Sequence, residues 1–318
     1  MMSLALVVFN MVESRVAGSP ADWRQRLGAL TVGQRLADGQ PWQLRLIDGH
    51  LLVAGTTGAG KGSLLWSIVL GLAPSVVAGV VELWALDPKR MELSLGRGCF
   101  ARYAATADDM VALLEEAVAT MLERADRLSG VTRRFEPTDG TPLVVLFVDE
   151  LGYLSSLLPD RDLKKRADQA LTTLLALGRS VGFTVVGAIQ DPRKETLSNR
   201  DLFPTRVAMR LPAEMVNLVL SREAYQDGAR CDQIAPGPAG AGMAYVYDET
   251  TAAVTLVRAY WISDELIQDW EPWLEWAGTA TPEERLAAAA GILKHRDRPS
   301  GFAVELERLG EQLKRARS

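Results

Sequence analysis

Two cysteines, two histidines and no long apolar run in 318 residues exclude several classes of protein at once. Cys99 and Cys231 cannot make a disulfide framework, and with His50 and His295 as the only histidines there is no Cys/His cluster for a structural zinc site. A reducing cytosol is the expected home. The most apolar stretch near the amino terminus, residues 4–12, follows no basic residue and precedes no small-residue cleavage site. It is about half the ~20 residues a membrane span needs, so neither a signal peptide nor a transmembrane helix is expected. A basic excess is also missing: 35 Lys and Arg against 40 Asp and Glu give a net charge of −5. The chain as a whole is no electrostatic trap for nucleic acid, and any DNA contact has to come from a local patch. Internal repeats and low-complexity linkers are absent too, although "APGPAGAG" at 235–242 reads as a flexible loop.

What is present is a 48% hydrophobic chain, enough for one large α/β domain or two smaller ones. Residues 1–30 have no clear period. Residues 31–48 alternate apolar and polar around an Asp-Gly pair, which predicts a β-hairpin. A short apolar strand at 50–55 then runs into a glycine loop and a helix over 63–72, expected to stop at Pro74. Apolar strands are predicted at 80–87, 142–150, 183–190 and 205–211. Helices fall between them, one marked by Val111, Leu114, Val118, Met121, Ala125 and Leu128 and another by Leu171, Leu174, Leu175 and Leu177. Strands alternating with helices imply a doubly wound, mainly parallel sheet that binds ligands beyond its carboxyl ends. A hairpin is expected at 242–262, and Thr281 followed by Pro282, Glu283 and Glu284 reads as the start of a tail helix.

The chemistry gathers at those carboxyl ends. "AGTTGAGKGS" at 54–63 is a phosphate-loop pattern in which Gly55, Gly60 and Lys61 fit, while Gly62 stands where a Ser or Thr hydroxyl belongs and Ser63 comes one position late. Such a loop offers backbone N–H groups and a lysine to phosphates at the positive pole of a helix; a small-residue turn is the plain alternative. Asp149 and Glu150 end the 142–150 strand. They suit a Mg2+ carboxylate and a base for the attacking water, or simply a capped strand end with two solvated acids. Gln190, at the end of another strand, could sense a γ-phosphate or be an ordinary polar terminus. "RDLKKR" at 161–166 carries Arg161, Lys164, Lys165 and Arg166, read either as phosphate contacts to DNA or as a solvated helix start.

Six blocks, "HLLVAGTTGAGKGSLLWS", "LDPKRMELSL", "LVVLFVDELGYL", "LGRSVGFTVVGAIQDP", "FPTRVAMRL" and "YWISDELI", resemble in content and order the FtsK/SpoIIIE family of DNA-translocating ATPases, from about residue 30 to 266. The glycine after the lysine, followed by "SLLWS", is most similar to the Tra-type branch, which moves double-stranded DNA in conjugation of actinobacterial mobile elements. The resemblance implies a RecA-like P-loop ATPase core. It would have an extension at 1–30, a motor domain at 31–266 with a short β segment at its start, and a helical carboxyl-terminal tail at 267–318. ATP and Mg2+ are the implied cofactors; double-stranded DNA and a homo-hexameric ring are the implied partners.

By motif, Gly55, Thr56, Thr57, Gly58, Ala59, Gly60, Lys61, Gly62 and Ser63 bind nucleotide, Asp149 organises Mg2+, Glu150 is the catalytic base and Gln190 the sensor. Arg179 matches a position proposed as an arginine finger for the neighbouring subunit, or serves a helix end. With no hydroxyl at Gly62, Mg2+ is expected to be held by water and Asp149, with Ser63 near the α-phosphate or the metal and room for a serine at 62. The membrane spans, long linker and winged-helix module of chromosome-segregating members are not recognisable, so a membrane-bound partner would sit on a separate chain and the protein itself is expected in the cytoplasm, at most peripheral to the membrane. A type VII secretion ATPase and a hydrolysis-impaired nucleotide-binding module are the competing readings.

Overall fold

The computed structural model describes residues 19–193, 199–248 and 253–281. The apolar run at 4–12 and the tail beyond Thr281 lie outside them. The strands are β1 (Leu30–Arg35), β2 (Pro41–Leu44), β3 (Leu51–Ala54), β4 (Val81–Leu86), β5 (Arg102–Ala104), β6 (Leu143–Val148), β7 (Phe183–Ile189), β8 (Thr205–Ala208), β9 (Met243–Asp248) and β10 (Ala253–Ala259). The helices that matter are α1 (Pro20–Leu27), α2 (Lys61–Val77), α3 (Ala107–Leu128), α4 (Arg161–Leu177), α5 (Ala213–Val219), α6 (Arg222–Gln226) and α7 (Asp264–Thr279). None among the described residues is long and apolar enough to cross a membrane.

All ten strands form one sheet in the order β2-β1-β10-β9-β8-β3-β7-β6-β4-β5. The block from β8 to β5 is parallel, and the ribbon from β2 to β9 is antiparallel and joins it at β8. Both predicted hairpins are therefore present, and they extend the same sheet. The parallel strands are buried on both faces, as their unbroken apolar runs require. Along β6, Leu143, Val145 and Phe147 face a core shared with α2 and α7, while Val144, Leu146 and Val148 face one shared with α3 and α4.

Three expectations need revision. The helix after the glycine loop does not stop at Pro74 but runs to Val77 with the proline inside. Proline removes the N–H that would bond Leu70, yet the last turn still buries Leu72, Ala73 and Val76, and that burial outweighs one lost bond. Residues 20–27 form a helix where no period was visible. It is too short for a period to show, and it is started instead by a capping box between Ser19 and Asp22 with Pro20 at its head. Trp23 and Leu27 are buried, and Arg24 donates to the Phe135 carbonyl at 2.6 Å. Loop 235–242 is pinned, since Gly242 N–H donates to the Ala59 carbonyl at 2.9 Å. Helix α7 runs across 266/267, and its Ile267, Leu274 and Ala277 share a core with the sheet.

Phe147 is the most revealing core residue. Its ring meets Phe100 edge-on at 5.9 Å, and Phe100 meets Trp66 at 6.2 Å, so one aromatic row joins the strand that ends in Asp149 to the helix that begins at Lys61. Phe147→Ala is expected to cost about 3–5 kcal/mol through the cavity it leaves, read from urea unfolding as a lower midpoint at unchanged slope.

Candidate functional site

The glycine loop leaves β3 and is held on several sides. Gly55 N–H donates to the Ile189 carbonyl at 3.0 Å, and the N–H and hydroxyl of Thr56 both donate to the Arg210 carbonyl at 3.0 and 3.1 Å. The Arg210 guanidinium returns a bond to the Thr57 carbonyl at 2.9 Å. Gly60 has φ of +92° and lies so close to Gly242 that a Cβ would come within 2.3 Å of its nitrogen, which allows only glycine there. Lys61 Nζ folds over the loop and donates to the carbonyls of Gly55 and Thr56 at 2.6 and 3.2 Å. No side chain caps the start of α2 and its first turn holds no acid, so the positive pole opens onto the loop.

Across from the loop, Asp149 and Glu150 are 5% and 8% exposed. Burial lifts the Asp149 carboxyl to about 6, nearby Lys89 opposes the rise, and Asp87 adds to it. One oxygen of Asp149, Oδ2, is buried without a hydrogen bond. Glu150 accepts from Lys89 Nζ at 3.0 Å and from Gln190 N–H at 3.2 Å, and Lys89 lies 3.8 Å from Asp149 Oδ2. Gln190 Oε1 accepts from the Thr57 hydroxyl at 3.0 Å, tying the sensor position to the loop. Burial pushes the Lys61 ammonium below its ordinary value, partly offset by the charge of Glu150. The structure therefore brings together the loop, Lys61, Asp149, Glu150 and Gln190.

Lys89, Glu92 and Arg210 also belong to this cluster and escaped the sequence reading. Lys89 and Glu92 sit in the turn after β4, which Asp87 organises: fully buried, it accepts from the N–H groups of Arg90, Leu93 and Ser94 at 2.9, 3.1 and 3.0 Å and from the Tyr103 hydroxyl at 3.1 Å. A strand-end acid followed by a lysine beside a parallel neighbour was the signal available. The Glu92 carboxylate lies against Gly62, so a serine at 62 would need the end of this flexible side chain to move aside. Its carboxyl is raised above the ordinary range by burial and then by the charges of Asp149 and Asp87. Ser63 is half-buried in the first turn of α2.

The remaining candidates lie elsewhere. Arg179 is exposed in a turn that precedes β7, and its charge acts on His50, which precedes β3. Gln190 follows the other end of the seven-residue β7, so Arg179 and its own phosphate loop lie at opposite ends of the parallel strands, ~20 Å apart at ~3.3 Å per residue. Arg161, Lys164 and Lys165 are exposed on the first turns of α4. Arg166 is engaged, with a two-pronged pair to Glu115 at 2.8 and 2.7 Å. Among the described residues no three His, Cys, Asp or Glu side chains gather to hold an ion unaided. Mg2+ does not need that, because it takes one or two carboxylates and fills its octahedron with phosphate oxygens and water; the unpartnered Asp149 oxygen fits such a role.

Comparison with known proteins adds a family likeness. Residues 12–135 match the FtsK/SpoIIIE family. A DNA translocase FtsK of Mycobacterium tuberculosis is 28% identical over 64% of this chain and 28% of its own length, and DNA translocase FtsK 2 of Ralstonia nicotianae is 24% identical over 52% and 25%. The chain thus spans about a quarter of the length of these relatives. Among solved structures, the pCW3 conjugation coupling protein TcpA superposes with a TM-score of 0.63 at 18% identity, covering 82% of this chain and 70% of that one. The cytoplasmic domain of the type VII secretion ATPase EccC from Thermomonospora curvata gives 0.59 at 21% identity, covering 80% and 32%. The fold is that of a P-loop ATPase.

The buried acid has a measurable consequence. An unfolded aspartate ionises near 3.8, whereas folded Asp149 keeps its proton to about 6. Its contribution therefore favours the folded state most below pH 4 and is lost as pH rises through 6. In nucleotide-free protein, Asp149→Asn is expected to raise unfolding stability by roughly 1–3 kcal/mol at pH 7.5 and by little at pH 4, read from urea titrations at the two values.

Proposed function

We propose that this chain, which carries an FtsK/SpoIIIE-family domain and is homologous to bacterial DNA translocases of the FtsK type, is the ATP-driven motor of a double-stranded DNA translocase. The observation that carries the proposal is the meeting of the glycine loop, Lys61, the Asp149–Glu150 pair and Gln190 at the carboxyl ends of three adjacent parallel strands. In this reading the loop amides and Lys61 cradle the phosphates, and Asp149, whose Oδ2 accepts no hydrogen bond, would hold Mg2+, which would offset charge on the transferred phosphoryl group. Glu150 takes a proton from the attacking water. Before it does, it must part from Lys89, whose ammonium is then free to meet phosphate oxygen.

The likeness to a conjugation coupling protein supports a conjugative role, and the Tra-type assignment rests on Gly62 and the "SLLWS" that follows it. Arg161, Lys164 and Lys165 are the free cations for the DNA backbone; Arg166 reaches it only by leaving Glu115. A homo-hexameric ring in the cytoplasm, with a membrane-bound partner on another chain, completes the picture.

Duplex DNA is expected to raise ATP turnover, and Lys61→Ala or Glu150→Gln to abolish it, with Glu150→Gln still binding ATP. Measured beside single strands, no polymer and a secretion signal peptide, stimulation by the peptide and not by duplex would move the motor to protein export.

We further propose that Arg179, in the turn before β7 and so at the opposite end of that strand from Gln190, serves a neighbour's site. Arg179→Ala should bind ATP normally and turn over about 10³-fold more slowly. Mixed with Lys61→Ala protein it should regain activity, because mixed rings hold interfaces with both an intact loop and an intact arginine. Mixed assemblies, verified by native mass, that stay inactive would assign Arg179 a structural role.

A further inference from the structure

Position 62 is where the phosphate-loop pattern carries a hydroxyl, and the structure gives a reason for its loss. A Cβ at Gly62 would lie 2.0 Å from Glu92 Oε1, 2.3 Å from its Cδ and 2.5 Å from Oε2. The same volume holds either a side chain at 62 or the Glu92 carboxylate. The backbone from which Glu92 reaches that position is fixed. Its backbone carbonyl accepts from Trp66 Nε1 at 3.1 Å, and Trp66 lies one turn along α2 from Gly62. The amides of the next two residues, Leu93 and Ser94, are fastened to buried Asp87. The turn is thus pinned on both sides of Glu92, and with glycine at 62 the carboxylate lies against the head of α2.

The carboxylate of Glu92 accepts no hydrogen bond among the described residues, although it sits beside Lys61 and within the field of Asp149. Asp149 is 5% exposed and its Oδ2 is likewise without a hydrogen bond. Two carboxylates with unused lone pairs, at the mouth of a phosphate loop, are poor company for a polyphosphate alone. They are good company for a hard divalent cation carried by one, which draws its protein ligands from oxygen.

We propose that the Glu92 carboxylate takes the place of the hydroxyl missing at position 62 and would supply a protein oxygen to the nucleotide-bound Mg2+ together with Asp149. The proposal rests on the nucleotide-binding reading of the loop. It differs from a hydroxyl in one respect that can be measured: a carboxylate carries a charge. With the metal present Glu92 attracts the nucleotide complex, and with the metal removed it repels the phosphates.

The test is equilibrium binding of a fluorescent ATP analogue to the full chain, in Mg2+ and in EDTA, together with Mn2+ binding to the nucleotide complex followed by electron paramagnetic resonance. For Glu92→Gln, which keeps the shape of the turn, we expect about tenfold weaker binding in Mg2+, tighter binding in EDTA and weaker Mn2+ retention. Gly62→Ser alone should also weaken Mg2+-dependent binding by colliding with Glu92, and Gly62→Ser combined with Glu92→Ala should restore it by returning the hydroxyl to vacated space. Equal losses in Mg2+ and EDTA would make Glu92 a structural residue and overturn the proposal, as would unchanged Mn2+ retention. A wild-type chain that binds no nucleotide in either condition would instead overturn the loop reading beneath it.

Discussion

The site is assembled around one buried carboxylate. Asp87 ends β4 with no exposure, and a charge so placed is tolerable only because three backbone N–H groups and one hydroxyl point at it. Those bonds force residues 88–94 into a tight turn, even holding Arg90 at a φ of +54°, where side chains rarely sit. Everything distinctive about the cluster follows from that turn. It brings Lys89 onto Glu150 and lays Glu92 along the first turn of α2. Trp66 locks the arrangement from the helix side.

The glycine loop receives a second support from a part of the chain far away in sequence. The antiparallel ribbon adds strands to the parallel sheet at β8 and returns residues 237–242 to the loop, where Gly242 bonds Ala59 and crowds Gly60. Arg210, just past β8, holds the loop from another side. The loop is therefore shaped by both halves of the sheet. Substitutions in the ribbon can reach the phosphate region without touching the acids.

The sequence revealed most of the parallel core because strands buried on both faces leave an unmistakable apolar run, and the residue that ends such a run falls at the ligand-binding edge. That logic found Asp149, Glu150 and Gln190. It could not find Lys89 or Glu92, whose positions depend on hydrogen bonds made by Asp87 and not on any period. It also could not see that Arg166 is spoken for, since Glu115 lies on a different helix. Pro74 misled because the penalty of a proline is local, whereas the burial that offsets it comes from the sheet beneath. The short first helix is declared by its cap, and too few residues follow for a repeat to show.

The two outer strands of the sheet set a limit on how such molecules can meet. On one side the sheet ends at β2, a four-residue strand opened by Pro41, and on the other at β5, three residues long. Neither offers a neighbour a run of free backbone groups on which to build. Among the described residues the sheet therefore gives another chain little to continue, and a contact with one falls to side chains and loops. Contacts of that kind form and re-form without unzipping a backbone ladder.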